Sequence, residues 1–325
     1  MPEKPLSRRS LVALGIGSAL IPHARADEYP SRVVTIIVPF APGGSVDLVA
    51  RAIAEPLGES LGRNVIVENR AGASAAIGTA AVARAAPDGY TLLVGSTTSI
   101  SIRPLMQPPL PYDTAKDLMP VVLAASVPHV LLVSSAVPAR SVAELVAFAQ
   151  SRGRPLTLGD SGVGSPHSLA GDLFAREAGL KIDHVPYKGT SAVVTDLLAG
   201  HIDFGSIELS IAAPHMQSGS LKAIGLSAAK RDPAWPQLPT IAEQGIKDYE
   251  IVSWFGIFAP ARTPPAIIDR LSREITKVMG EEKARKLLVN AGLRVTPLTG
   301  PDLTEHLARE RRKWGRAIEL SEGKS

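Results

Sequence analysis

Ser161 stands in the run GDSGVGS (Gly159 to Ser165), a string close to the one in which trypsin-type peptidases set their nucleophile. Attack by such a serine needs a base within hydrogen-bond reach and a third group that orients the base. The seven histidines are His23, His129, His167, His184, His201, His215 and His306, and none sits in a recognisable catalytic signature. His167 follows the loop at the start of an expected helix, where capping or packing accounts for it. The run also lacks the Gly-Pro that continues the peptidase pattern. Ser161 therefore reads as a hydrogen-bonding group, and no catalytic residue is assigned.

A different chemistry is written in PFAPGGSVD (Pro39 to Asp47), which puts two glycines and a serine between a strand and a helix. Amides at a helix start have no partner within the helix, and with the helix dipole they make a site for an anionic oxygen. Glycine lets the backbone approach without a Cβ in the way. No Gly-Lys-Ser/Thr follows, and there is no G-x-G-x-x-G, so this is neither a Walker loop nor a dinucleotide loop. GSTTSIS (Gly95 to Ser101) and GVGSPHS (Gly162 to Ser168) bring hydroxyls and further amides to comparable strand ends. Neutral donors of this kind suit a carboxylate, because hydrogen bonds to an ionised acceptor are about twice as strong as neutral ones. Lys188 is a candidate pocket cation or a solvated lysine. Glu208 ends a strand, where it faces solvent or lines a cleft. No H-E-x-x-H or Asp-rich calcium loop occurs, so no metal and no cofactor is expected.

Those loops need a scaffold that brings strand ends together. Apolar runs rich in β-branched residues alternate with helical patterns, the signature of an α/β fold on a mostly parallel sheet. Strands are expected at Val33–Val38, Thr91–Gly95, Leu156–Asp160, Ile182–Gly189, Ile202–Glu208, Leu221–Ser227 and Trp254–Pro260. Between them, apolar spacing predicts helices from Val46, through Leu169 and Phe174, and through Val193 and Leu198. Two more follow, Ile267 to Met279 and Leu303 to Ile318. The expectation is two α/β lobes, residues 27–124 with 250–325 and residues 125–249. The chain would cross near Val121–Ala125 and return near Leu226–Trp254, with the C-terminal helices completing the first lobe. In such sheets ligands sit beyond the carboxyl ends of strands.

At 325 residues and 45% hydrophobic content, the chain can bury a large core. Arg8-Arg9, an apolar stretch from Leu11 to Ile21, and Ala24-Arg25-Ala26 read as an export signal over residues 1–26, with Arg8-Arg9 resembling the twin-arginine export pair. That leader holds Lys4, Arg8, Arg9 and Arg25 against Glu3, so the net charge of +4 falls to +1 without it. With aromatic residues at 4% and no basic stripe, nucleic-acid binding has no support. There is no cysteine, hence no disulfide framework or thiolate metal site.

Taken in order, YPSRVVTIIVPFAPGGSVDLVAR, VIVENRAGA, PDGYTLLVGS, PYDTAKDLMPVV, GVGSPHSLAGDLF, PYKGTSAVVTDLLAGHIDF, LPTIAEQG and WFGIFAPARTP resemble the periplasmic solute receptors of tripartite tricarboxylate transporters, the Bug-type receptors. The resemblance covers nearly the whole chain after the leader. It implies a two-lobed Venus flytrap, type II-like, that acts as a monomer in the periplasm, closes on a small carboxylate and presents it to membrane permease subunits. It also implies a pocket. Phe40, Ala41, Pro42, Gly43, Gly44 and Asp47 would hold a ligand carboxylate, with Asp47 capping the helix rather than meeting the anion. Ser96, Thr97, Thr98 and Ser101, then Ser161, Gly164, Ser165 and His167, then Tyr187, Lys188, Gly189 and Thr190, would complete it. Where relatives often have Asn, Asp and glycines, this chain has Arg103, Glu208 and Ser74-Ala75-Ala76. Arg103 would serve a second acid group or point to solvent, and Glu208 would accept from a ligand hydroxyl or ammonium. A receptor reporting to a sensor kinase and a serine hydrolase using Ser161 are the alternatives.

Overall fold

The apolar run Val34–Val38 forms β1, buried at its centre and flanked in parallel by β2 (Val65–Asn69) and β3 (Thr91–Ser96). The computed structural model describes residues 29–321 apart from Val163 and Lys188, so the expected leader lies outside the described residues. Helix α1 (Ser45–Leu61) leaves the end of β1, buries Val49, Ile53 and Leu57, and stops at Gly62, whose φ of 68° few other residues adopt readily. Helix α2 (Ala76–Ala83) joins β2 to β3.

The chain then enters a short α3 (Thr114–Asp117) and β4 (Leu118–Val133), a 16-residue strand that belongs to both halves of the molecule. From Leu118 to Pro128 it pairs antiparallel with β9 (Val252–Pro260), which in turn pairs with β3. From His129 to Val133 it pairs with β7 (Phe204–Glu208) and with β8 (Lys222–Leu226). The second half continues through β5 (Leu156–Asp160), parallel to β7 and to β6 (Ile182–Pro186). Its helices are α4 (Val142–Arg152), α5 (Pro166–Glu177), α6 (Thr190–Ala199) and α7 (Leu209–Gln217). The outcome is one curled, ten-stranded sheet in two lobes. It is mixed, not mostly parallel, because the strands that carry the chain between lobes run against their neighbours.

Helices α8 (Pro265–Gly280) and α9 (Glu282–Asn290) pack on α1, and β10 (Arg294–Leu298) adds an edge to β4. Helix α10 (Gly300–Ser321) departs from expectation. Its Leu303 packs with Ile37, Leu93 and Trp254 of the first lobe, while Trp314 and Ile318 pack with Leu131, Leu158 and Phe174 of the second. Glu310 fixes this strap: its Oε2 accepts from Trp254 Nε1 at 3.0 Å and from Trp314 Nε1 at 2.8 Å, all three side chains being buried. None of the described helices is long and apolar enough to cross a membrane.

The β5–α5 loop, which carries Ser161, is anchored from below by Asp160. That carboxylate accepts from Gly162 N at 2.7 Å and from His184 Nδ1 at 2.7 Å, and His184 Nε2 reaches Asp172 at 2.9 Å. The bonds to Asp160 and then Asp172 push the His184 imidazole up from 6.5 to about 10.

Two outcomes follow from these anchors. Glu310→Ala should lose roughly 2–4 kcal/mol, because two buried indole N–H groups are left without an acceptor; an unchanged denaturant midpoint would contradict the strap. A histidine whose folded pKa is raised gives stability that is complete below its unfolded value of 6.5 and is lost as pH rises through about 10. The stability gap between the native chain and His184→Gln should therefore close across that interval in urea titrations, and a constant gap would show that the imidazolium is not what anchors the loop.

Candidate functional site

Between the lobes lies a cleft of about 850 Å³. One wall is the β1–α1 loop, where Gly43 has φ 89° and its amide donates to Asp47 Oδ2 at 3.0 Å. Asp47 is buried and also takes Arg51 Nε at 2.9 Å and Asn69 Nδ2 at 3.0 Å. Burial would raise its carboxyl, but these bonds, led by that to Arg51, hold it below the usual range. Asp47 thus buttresses the loop and does not line the cleft. Gly44 is the N-cap of α1 and offers no side-chain cap, so the first amides of the helix have no internal acceptor.

The opposite wall repeats the device. Gly189 is the N-cap of α6, again without a side-chain cap, and Gly189, Thr190 and Ser191 line the cleft. Two helix N-termini, one from each lobe, therefore bring positive dipole ends and open amides to one cavity. Ser165 caps α5 by accepting from Ser168 N at 3.1 Å. Across the cleft, Ser45 Oγ and Ser210 Oγ lie 3.0 Å apart, and Met106 sits against Gly164, where any Cβ would collide with its sulfur.

At the base of the cleft the sequence reading needs correction. His167 is neither cap nor packing filler: its Nδ1 is 2.7 Å from Ser161 Oγ and its Nε2 2.8 Å from Glu208 Oε2. A base and an orienting acid are thus in reach of Ser161. Burial would raise Glu208, but the charge and hydrogen bond of His167, with His129 behind, hold it at about 2. His129, on β4, stacks on His167 at 4.9 Å, bonds Ser206 Oγ at 3.2 Å and Ser253 Oγ at 2.8 Å, and is pushed by burial to about 3, hence neutral. The donor atoms of His129, His167 and Glu208 lie within 4.8 Å of one another. A metal there would have to displace hydrogen bonds to Ser161, Ser206 and Ser253 that already satisfy both rings.

Of the expected residues, Phe40, Ala41, Pro42, Gly43, Gly44, Ser96, Thr97, Thr98, Arg103, Ser161, Gly164, Ser165, His167, Gly189, Thr190 and Glu208 line the cleft. Ser101 does not, being buried in the π-helical turn Thr97–Ile102. Tyr187 does not either, since its hydroxyl donates to Asp196 Oδ2 at 2.5 Å. Lys188 lies outside the described residues. Sequence reasoning missed Ser253 and Phe255 of β9, Ile211 of α7, Met106, and the segment Ala71–Ala75. In that segment Ala73, Ser74 and Ala75 all hold positive φ, between 48° and 74°, a run of left-handed non-glycine residues that local sequence disfavours and the surrounding fold imposes.

Residues 49–322 match the model of the tripartite tricarboxylate transporter family receptor. A UPF0065 protein encoded in the tcbD–tcbE intergenic region of Pseudomonas sp. strain P51 is 35% identical over 308 residues, 94% of this chain and 91% of that protein. Among solved structures, Rpa4515 of R. palustris with adipate has a TM-score of 0.85 and 34% identity, covering 90% of this chain and 98% of that one. MatC from Rhodopseudomonas palustris with bound malate has a TM-score of 0.80 and 31% identity, covering 90% and 100%. The chain belongs to the tripartite tricarboxylate transporter family of receptors, and its fold is the two-lobed one of periplasmic binding proteins.

Proposed function

We propose that this protein is a non-enzymatic receptor of the periplasm that closes on a small carboxylate and hands it to permease subunits of a tripartite tricarboxylate-type transporter. The observation that carries this reading is the pair of glycine-capped helix N-termini, Gly44 and Gly189, facing one cleft from opposite lobes. A carboxylate that touches both stabilises the closed state over the open one, which is how such a ligand shifts the population. The hinge falls where β4 changes partners, Pro128 to His129, and where the chain returns at Ile251. Relatives solved with adipate and with malate support the ligand class.

One observation favours a hydrolase instead, the Ser161–His167–Glu208 chain. Against it, the amide of Gly162 is bonded to Asp160 and that of Ser165 to Gly162 O, so these amides do not serve an oxyanion. A fluorophosphonate probe should leave Ser161 unlabelled; labelling that disappears in Ser161→Ala would establish the enzyme.

A carboxylate screen by thermal shift should find a stabilising ligand, since about 100 times Kd adds about 2.7 kcal/mol. Gly44 has an extended backbone (φ −89°, ψ 174°) and an added Cβ meets nothing within 4 Å, so Gly44→Val should fold normally. Its side chain enters the anion site, and calorimetric affinity for the screened ligand should fall at least about 100-fold, as expected when roughly 2.7 kcal/mol of charge-assisted bonding is lost. Unchanged affinity would remove the α1 loop from the site.

A further inference from the structure

Among the described residues that line the cleft, Glu208 is the one carboxylate and Arg103 the one side chain of fixed positive charge. Arg103 is committed to its own loop: Nη1 donates to Met106 O at 3.3 Å and Nη2 to Pro108 O at 3.0 Å. Two of its five N–H donors are thus tied to its own loop. Glu208, an acceptor only while ionised, takes its bond from His167 Nε2, so that nitrogen carries a hydrogen. In the neutral ring Nδ1 is then a lone pair. The single proton of Ser161 points at it across 2.7 Å, and Ser161 Oγ has only lone pairs left for the cleft.

Charge leads to the same result. With Glu208 ionised, the His167–Glu208 pair carries −1 or 0 according to the imidazole, never a positive charge. His129 behind it adds none, because burial keeps its ring neutral. While the His167 ring is neutral, a second ligand carboxylate at this wall would set lone pair against lone pair, beside a fixed anion. A ligand O–H or N–H meets the acceptor it needs.

The geometry points to Ser161, positioned by His167 and Glu208, as the specificity determinant for the ligand end that reaches the β5–α5 wall: the ligand is a monocarboxylate whose other end bears a hydroxyl, amide or ammonium donor, not a dicarboxylate. This rests on the carboxylate-receptor reading above and sets the protein apart from its adipate-bearing relative.

The test is calorimetric titration of the full chain with matched probes: succinate against succinamate, and adipate against 6-hydroxyhexanoate and 6-aminohexanoate. The tightest donor-ended probe should bind at least about tenfold better than its dicarboxylate, the worth of one satisfied buried acceptor. Ser161→Ala should abolish that preference, and Glu208→Gln, isosteric but uncharged, should narrow it by improving dicarboxylate affinity. Melting curves establish that both variants fold, and their opposite effects on the two ligand classes are not what a merely structural role produces. A dicarboxylate that binds as well as its donor-ended partner overturns the inference and leaves the receptor reading standing. If the native chain binds none of the five, the carboxylate reading itself falls, and the inference with it.

Discussion

The amides that open an α-helix have no acceptor within it, and in α1 and α6 a glycine stands where a capping side chain would otherwise satisfy them. Everything else in the molecule serves to aim those two open ends at one cavity. The cost of leaving them open is small at a solvated cleft and would be large in a core. That is why both lie at strand ends between lobes. Asp47 shows how local the control is: it binds the Gly43 amide and Asn69, rigidifying the loop, yet stays out of the cavity where its charge would oppose an anion.

Aim requires a frame that joins the lobes. Strand β4 supplies the continuity, since one unbroken strand changes partners between Pro128 and His129. At that point His129, Ser227 and Ile251 exchange backbone and side-chain hydrogen bonds, so the two crossings are tied together. Helix α10 adds a second tie through Glu310 and its two indoles. The Ser161–His167–Glu208 chain hangs from the same junction, with His129 stacked beneath it. Polar groups in the cleft wall are thus oriented by the strand junction itself.

Much of this was legible in the chain. Continuous β-branched runs such as VTIIV and TLLVG mark the buried central strands, and the glycine-serine loops at their ends mark most of the cleft wall. Elements whose local pattern conflicts with their place were not legible. Strand β10, RVTPL, carries a proline that only an edge position tolerates, and its register shifts between Val295 and Leu298. Strand β4 is interrupted by Pro120 and Pro128, which hide its length. Asp47 was expected to cap α1, but no side chain caps that helix, and its carboxylate instead accepts from the Gly43 amide and Asn69. Ser101 was misjudged because a π-helical turn rotates it inward, and no periodicity announces such a turn. The acid behind His167 was invisible for another reason: His167 and Glu208 are 41 residues apart, and the β5–β7 pairing brings them together.

The central claim is that a ligand carboxylate is held by the open amides at the starts of α1 and α6. Its most direct test is amide-resolved NMR of the full chain titrated with a carboxylate that stabilises it. The account predicts that the amide protons of Gly44 and Gly189 shift downfield together, saturating with the ligand, as they gain an anionic acceptor. A ligand that binds in the cleft while both amides keep their free-state shifts would contradict it.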